Sequence, residues 1–320
     1  MKMSKCLFCY RDIEDEEFMK YEFHKSCSRK FFGKNIPPIL DYTQSEMLEL
    51  AQKIVKSQRT VTGVQPKLSL SSKKMTEDSA IERFTIVGLW GKFILKPQTV
   101  LYEQLPEIED LTMHLAELSK IKTVEHSLIR LKSGELAYIT KRIDRLKNKK
   151  LHMEDMCQLT ERQTEHKYKG SHEQVAKTLK TFSTNPGFDI VNFYELVLFC
   201  FLTGNNDMHL KNFSLLKGVD LNYNLCPAYD LVASELVVEG DDEELALNLN
   251  GKKKKIKRKD FSIAMKTSGM NDKSIENVFK KFEHLEDKWH VFIDASFLSK
   301  KLKESYHNMI AEKYNQLNIN

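Results

Sequence analysis

Residues 204–213 read Gly204-Asn205-Asn206-Asp207-Met208-His209-Leu210-Lys211-Asn212-Phe213, a polar loop opened by a glycine and closed by an aromatic. Directly before it, Asp189–Thr203 is apolar nearly all round, the pattern of a buried helix. A polar loop leaving such a helix is held rigidly at the edge of a core. After it, Phe213–Leu216, a Lys-Gly-Val-Asp turn and Leu221–Leu225 read as a β-hairpin, whose strands lie about 5 Å apart. The return strand runs into Pro227-Ala228-Tyr229-Asp230, so Asp230 is expected beside Asn212. An amide oxygen and a carboxylate converging at the end of a hairpin are hard ligands. They suit Mg²⁺, with phosphates and water completing the shell. The competing reading has Asp230 capping the next segment, Leu231-Val232-Ala233.

Asp207 and Asn212 are five positions apart, the Asp-to-Asn spacing of the protein-kinase catalytic loop H-R-D-x-x-x-x-N. That chemistry needs a carboxylate to orient the attacking hydroxyl and an amide oxygen for the metal. One such pair arises by chance in any polar loop, so its weight comes from what accompanies it. Thr62-Gly63-Val64-Gln65-Pro66-Lys67 leads into a strand as a glycine loop, where backbone N–H groups can face a phosphate. It is not a Walker A sequence, and a plain turn is the alternative. Lys96 closes the apolar strand Phe93-Ile94-Leu95-Lys96, and Glu109 lies on the helix opened by Pro106-Glu107. The two would pair as a kinase strand lysine pairs with its helix glutamate. Otherwise Lys96 is an ordinary lysine at a strand end. Glycine loop, strand lysine, helix glutamate, hinge, catalytic Asp/Asn and metal Asp stand in kinase order.

Around these positions the chain divides by character. Phe84–Val87, Phe93–Lys96 and Glu135–Arg142 read as strands, whereas Ser274–Phe282 and Leu298–Ile310 carry helical apolar stripes. The expected organisation is a Cys/His module over 1–36, a strand-rich N-lobe over 37–145 and a mostly helical C-lobe over 146–320, with a ligand site at the seam. Hydrophobic residues make up 41% and charged residues 30% of the 320, a globular composition that excludes a disordered or fibrous chain. The longest apolar run, Leu196–Leu202, is far short of the ~18–20 residues that cross a bilayer. Met1–Cys6 has no apolar stretch of the signal-peptide kind, so a soluble cytoplasmic chain is expected.

Six motifs together resemble the HipA family of bacterial serine/threonine kinases, toxins of toxin–antitoxin systems. They are Thr62–Leu68, Phe93–Pro97, Tyr138–Arg145, His152–Gln158, Gly204–Ser214 and Pro227–Leu231, and the resemblance runs from about residue 57 to the C-terminus. It implies an α+β, bilobal, protein-kinase-like fold using ATP and Mg²⁺. Asp207 would be the catalytic base, with Asn212 and Asp230 holding Mg²⁺. Lys96 would contact the ATP phosphates, and Thr62, Gly63, Val64, Gln65, Pro66 and Lys67 would cover them. Lys141, Arg142 and Ile143 would form the hinge at adenine, with Asp144 near the ribose and His209 also at the nucleotide. Glu154, Asp155 and Gln158 would have a structural or substrate-positioning role.

About sixty residues precede the glycine loop, where long family members carry about a hundred, so the chain resembles the short toxin of three-gene systems. That implies a HipB-like helix-turn-helix antitoxin, a small HipS-like protein, contact with DNA only through the antitoxin, and an aminoacyl-tRNA synthetase as substrate. The family's autophosphorylated serine falls at Thr60 here, with Ser57 and Thr62 nearby.

Two features lie outside that pattern. Cys6, Cys9, His24 and Cys27 have the count and paired spacing of a closed tetrahedral Zn²⁺ site, structural or partner-docking in role because no position is left open. The alternative is two reduced cysteines packed against the core, with His24 and Cys27 incidental. Cys157, Cys200 and Cys226 read as core residues. Lys252–Lys259 holds seven basic residues, more than the whole chain's net charge of +5. It reads as a solvated arm after the Asn250-Gly251 turn, with Leu245, Leu247 and Leu249 as a preceding strand, since no aromatic is interleaved for base stacking. Two rival functions follow from these features. One is a zinc-containing nucleic-acid-binding regulator with an inactive kinase-like core. The other is a small-molecule or lipid kinase, which Asp207-x-His209-x-x-Asn212 also resembles.

Overall fold

A computed structural model describes residues 4–57, 67–76, 81–87, 91–146, 149–238 and 240–319, without the side chains of 51–57. The chain forms two compact units. The strand-rich one comprises residues 1–110, 124–143 and 295–297. It opens with a hairpin of β1 (Ser4–Lys5) and β2 (Asp12–Ile13), followed by α1 (Glu16–Met19), α2 (Lys25–Phe32) and α3 (Gln44–Ser57). Asp15 caps α1 by accepting from the Glu17 N–H at 3.1 Å. Gly33 ends α2 at φ 73°, a left-handed position that a side chain would strain.

Five strands follow: β3 (Leu68–Lys74), β4 (Glu82–Ile86), β5 (Phe93–Pro97), β6 (His126–Arg130) and β7 (Leu136–Lys141). They form one antiparallel sheet in the order β4-β3-β5-β7-β6. The runs around Phe84 and Phe93 are thus strands of the same sheet but not neighbours, because β3 lies between them. Leu68, Leu70, Phe84 and Leu95 are fully buried, as alternate residues on one sheet face should be. Phe31 of α2 packs into the same cluster, with its ring 5.9 Å from that of Phe93. The Cys/His segment therefore shares the sheet's core. Removing the Phe31 ring would cost about 3–5 kcal/mol. Helix α4 (Leu105–Leu118) begins in this unit.

The helical unit comprises residues 111–123, 144–294 and 298–320. It holds a two-stranded piece, β8 (Arg145–Leu146) with β9 (Lys149–Lys150), then β10 (Met153–Asp155), α5 (Met156–Leu159), α6 (His172–Phe182) and α7 (Pro186–Leu202). β11 (Ser214–Lys217) and β12 (Tyr223–Leu225) form the expected hairpin, and β10 joins its outer side as the third strand. α8 (Arg258–Thr267), α9 (Asp272–Phe282), α10 (Glu286–Ala295) and α11 (Lys300–Leu317) complete it.

α7 is the central helix: every residue from Leu196 to Leu202 is buried, and Pro186 sits in the first turn, where its missing N–H costs nothing. Gly204 turns the chain out of α7 at φ 63°, and a Cβ there would lie 2.3 Å from Met309 Sδ. Glycine takes that φ without strain, and any side chain there would also have to displace the end of Met309. On α9, Ile275, Val278, Phe279 and Phe282 are buried as their spacing predicts.

The strand expected at Leu245–Leu249 does not form. These leucines are buried in an irregular segment, whose backbone bonds go to turns and two isolated bridges: Leu249 N–H to the Lys252 carbonyl at 2.7 Å and Asn248 N–H to that of Gly170 at 3.1 Å. Alternation there reflects burial alone. Among the described residues no helix is long and apolar enough to cross a membrane.

Candidate active site

The helical unit assembles the loop after α7 as a set of mutually bonded oxygens. Asp207 accepts from the Tyr168 hydroxyl at 2.6 Å, and its N–H donates to the Asn205 side-chain oxygen at 3.3 Å. Asn206 anchors the loop from behind, donating its N–H to Ser234 Oγ at 3.1 Å and its side-chain amide to the Glu243 carbonyl at 3.1 Å. The Asp207 carbonyl accepts twice, from the His209 N–H at 2.8 Å and from Asn212 Nδ2 at 3.2 Å. With its amino group so used, Asn212 keeps Oδ1 as the atom for a hard cation.

Asp230 is brought in by the residue before it. The Tyr229 hydroxyl donates to the Lys211 carbonyl at 3.1 Å and accepts from Ser214 Oγ at 2.5 Å, while the Cys226 N–H reaches the Ser214 carbonyl at 2.9 Å. These bonds flank Asn212 on both sides. Asp230 itself adopts φ 55°, a left-handed conformation that aspartate tolerates better than most residues and that is enriched at functional positions. No helix starts at Leu231–Ala233, so a helix cap is not its role.

Burial lowers the His209 pKa to about 4, with the charges of Asp207 and Asp230 acting in the opposite sense. The imidazole is therefore neutral at pH 7, and the Tyr168 ring meets it edge-on at 5.0 Å. Burial and the bond to Asp207 push the Tyr168 hydroxyl up, so it remains a donor. The segment His152–Gln158 supports this loop structurally. Asp155 and Gln158 form a capping box on α5, Asp155 pairs with Lys211 at 3.1 Å, and the Met156 N–H donates to the Phe213 carbonyl at 2.9 Å. Asp144 is buried and accepts from Arg145 Nη1 at 2.5 Å.

In the strand-rich unit Lys96 and Glu109 form an ion pair, their side chains 4% and 2% exposed. Lys96 Nζ lies 5.4 Å from the Tyr138 ring centroid, a second contact that suits a desolvated cation. Lys141 pairs with Glu125, and the Arg142 N–H donates to the Lys92 carbonyl at 2.9 Å. The two units divide between Ile143 and Asp144. Lys67 is exposed at the entry to β3. Thr60 and residues 62–66 lie outside the described residues, as does the Ser57 side chain.

The ligand atoms of Cys6, Cys9, His24 and Cys27 all lie within 4.8 Å of one another. Cys6 and Cys9 sit in the β1–β2 turn, which closes with the Tyr10 N–H donating to the Cys6 carbonyl at 2.9 Å. His24 and Cys27 come from the first turn of α2 and its cap. His24 Nε2 bonds the Asp12 carbonyl at 3.0 Å, which leaves Nδ1 as the lone pair facing Cys9 Sγ at 3.5 Å and Cys27 Sγ at 3.7 Å. That is the tautomer a metal ligated through Nδ1 requires. The donor set fits Zn²⁺, and no cysteine is disulfide-bonded.

The lysine run is largely paired. Lys252 meets Asp260 at 2.8 Å, Lys253 meets Glu243 at 2.9 Å, and Lys254 meets Asp242. Sequence reading missed Tyr168, thirty-nine positions from the carboxylate it binds. Nothing in its spacing marks it.

The family model for the HipA-like C-terminal domain matches residues 59–289, and the chain belongs to that family. Two relatives share the name "Putative kinase". Y4dM of Sinorhizobium fredii is 33% identical over 52% of this chain and 43% of its own length. A Haemophilus influenzae protein is 29% identical over 63% and 60%. The chain thus spans about half the length of these curated relatives. The Shewanella oneidensis toxin–antitoxin structure of HipA, HipB and operator DNA matches with TM-score 0.67 at 18% identity, over 84% of this chain and 71% of that one. The Helicobacter pylori proinflammatory kinase CtkA matches at 0.54 and 15%, over 78% and 93%. At these identities the likeness concerns the fold, which is HipA-like and kinase-like.

Proposed function

We propose that the chain is an ATP- and Mg²⁺-dependent serine/threonine protein kinase acting as the toxin of a toxin–antitoxin system. The observation that carries this reading is the loop after α7, in which Tyr168 holds the Asp207 carboxylate and the Asp207 carbonyl holds the Asn212 amino group, with the β11–β12 hairpin returning the chain to Asp230. Asp207, oriented by Tyr168, accepts the hydrogen bond of the substrate hydroxyl. Asn212 Oδ1 and the Asp230 carboxylate are the ligands for Mg²⁺, which supplies neutralisation of phosphate charge. Lys96, paired with Glu109, would offer one cation to the phosphates, and neutral His209 packs beside the loop without adding charge. Positioning and electrostatics supply most of the rate in such transfers.

The hinge role of Lys141–Asp144, the phosphate cover of Thr62–Lys67 and autophosphorylation at Thr60 or Ser57 belong to the same reading. So do a cytoplasmic location, a HipB-like antitoxin, a small HipS-like protein and an aminoacyl-tRNA synthetase substrate. Zn²⁺ on Cys6, Cys9, His24 and Cys27 would be structural. The ion pairs of Lys252–Lys254 weigh against a nucleic-acid-binding role for the basic run.

The test is incubation of the purified chain with labelled ATP, Mg²⁺ and a cell lysate, beside Asp207→Asn. A labelled protein band absent from the variant supports the reading. A labelled small molecule in place of a protein would move the enzyme to another kinase class, and no transfer would overturn it.

A further inference from the structure

The Cys/His turn carries a buried side chain that no ligand role explains. Tyr10 follows Cys9 directly, adopts φ 63° and is 3% exposed. Its ring meets Phe297 edge-on at 5.0 Å, and its hydroxyl donates to Asp110 Oδ2 at 2.7 Å. Asp110 is fully buried and its other oxygen bonds His126 Nδ1 at 2.6 Å. The His126 ring stacks on Tyr138 at 6.0 Å, the same ring that Lys96 overlies. Asp110 is also the residue next to Glu109, the partner of Lys96. Adjacent residues on a helix point about 100° apart. Two neighbouring carboxylates on α4 are therefore gripped from two directions, Glu109 by β5 and Asp110 by the Cys/His turn and β6. The turn is further seated on the sheet, where the Leu7 carbonyl accepts from the Leu128 N–H at 3.2 Å.

We propose that Tyr10 and Asp110 are positioning residues: the Cys/His turn sets the rotation of α4 through the Tyr10–Asp110 bond and so holds Glu109 on Lys96, which makes nucleotide engagement depend on the integrity of the turn. The proposal rests on the kinase reading for the role of Lys96. Tyr10→Phe keeps the ring in its packing and removes only the hydroxyl, and with it the bond that ties the turn to Asp110. α4 then gains freedom to turn, and Glu109 with it.

The experiment measures MgATP affinity and the KM and kcat of phosphate transfer on the full chain, for wild type, Tyr10→Phe, Cys6→Ser/Cys9→Ser and all three substitutions together. Tyr10→Phe should weaken MgATP binding and raise KM roughly five- to tenfold, the range for one lost buried bond, with kcat changed less. The cysteine pair should do the same in wild type. In the Tyr10→Phe background it should add little, since coupled residues are non-additive. Asp110→Asn, which keeps the volume, serves as the second variant if Tyr10→Phe lowers the melting temperature. Wild-type affinity and KM in Tyr10→Phe and Asp110→Asn would overturn the inference while leaving the kinase reading intact, as would full additivity with the cysteine pair. A wild-type chain that neither binds MgATP nor transfers phosphate would overturn both.

Discussion

The Cys6/Cys9/His24/Cys27 cluster, whose ligand atoms converge, and the proposed Asp207/Asn212/Asp230 group are built in opposite ways. The first is drawn from twenty-two consecutive residues by a hairpin turn and the start of one helix. Its donors are soft and closed around one point, which suits a resident ion that holds a fold together. The second needs a buried helix to present its loop, a hairpin to return Asp230, and Tyr168 from outside that stretch. Its donors are hard, which on the proposed reading suits an ion that also binds phosphate and water. On the proposed reading the local cluster of soft donors stabilises and the long-range group of hard ones serves chemistry.

Substitutions should separate the two. The largest effect is expected from Asp207→Asn, which removes the carboxylate that orients the hydroxyl. Phosphate transfer should fall about a thousandfold, with ATP binding and the melting curve nearly unchanged. A variant that instead fails to fold would show that Asp207 belongs to the framework. Cys6→Ser/Cys9→Ser should show the reverse emphasis. Metal analysis of wild type should give about one zinc per chain, absent from the variant, which should also melt earlier. Wild-type protein without metal would place the four residues among ordinary core contacts.

Asp230→Asn comes next. The loss of one anionic ligand should weaken Mg²⁺–ATP binding roughly ten- to a hundredfold by titration calorimetry, and normal affinity would count against the metal assignment. Tyr168→Phe should lower kcat about tenfold with KM little changed, because one hydrogen bond to Asp207 is lost.

The smallest effect concerns pH. Burial lowers the His172 pKa from 6.5 to about 3, and both ring nitrogens are buried without a hydrogen-bond partner. Between these values the unfolded chain binds more protons than the folded one. Stability should therefore fall as pH drops from about 6.5, by at most ~1.4 kcal/mol per pH unit from this group. His172→Phe should flatten that slope in denaturant titrations at pH 4–6. His209, lowered to about 4, adds a slope of the same sign that remains in the variant.

Legibility in the sequence followed the range of the interaction. The all-round apolar run marked α7, and the period of apolar residues marked α9 and the strands of the sheet, because burial is written locally. The paired spacing of Cys6-x2-Cys9 and His24-x2-Cys27 marked the soft cluster for the same reason. Alternating Leu245, Leu247 and Leu249 looked like a strand, yet three leucines can be buried without a ladder partner, and partners are not encoded in one segment. The hairpin that links Asn212 to Asp230 was legible because it is a local device whose ends must meet. Tyr168, Tyr10 and Asp110 were not, since each acts on a residue thirty-nine to a hundred positions away.

By itself, then, the chain's order of residues determined the units' character, the Cys/His cluster and the hairpin after the Asp207 loop, all products of short-range pattern. Only the tertiary structure decided which hydroxyl orients Asp207 and which carboxylate neighbours Glu109. It also decided that the lysines at 252–254 meet acids of the 241–260 segment. Those outcomes depend on how separate elements pack, and a buried donor finds its acceptor across space whatever the distance along the chain.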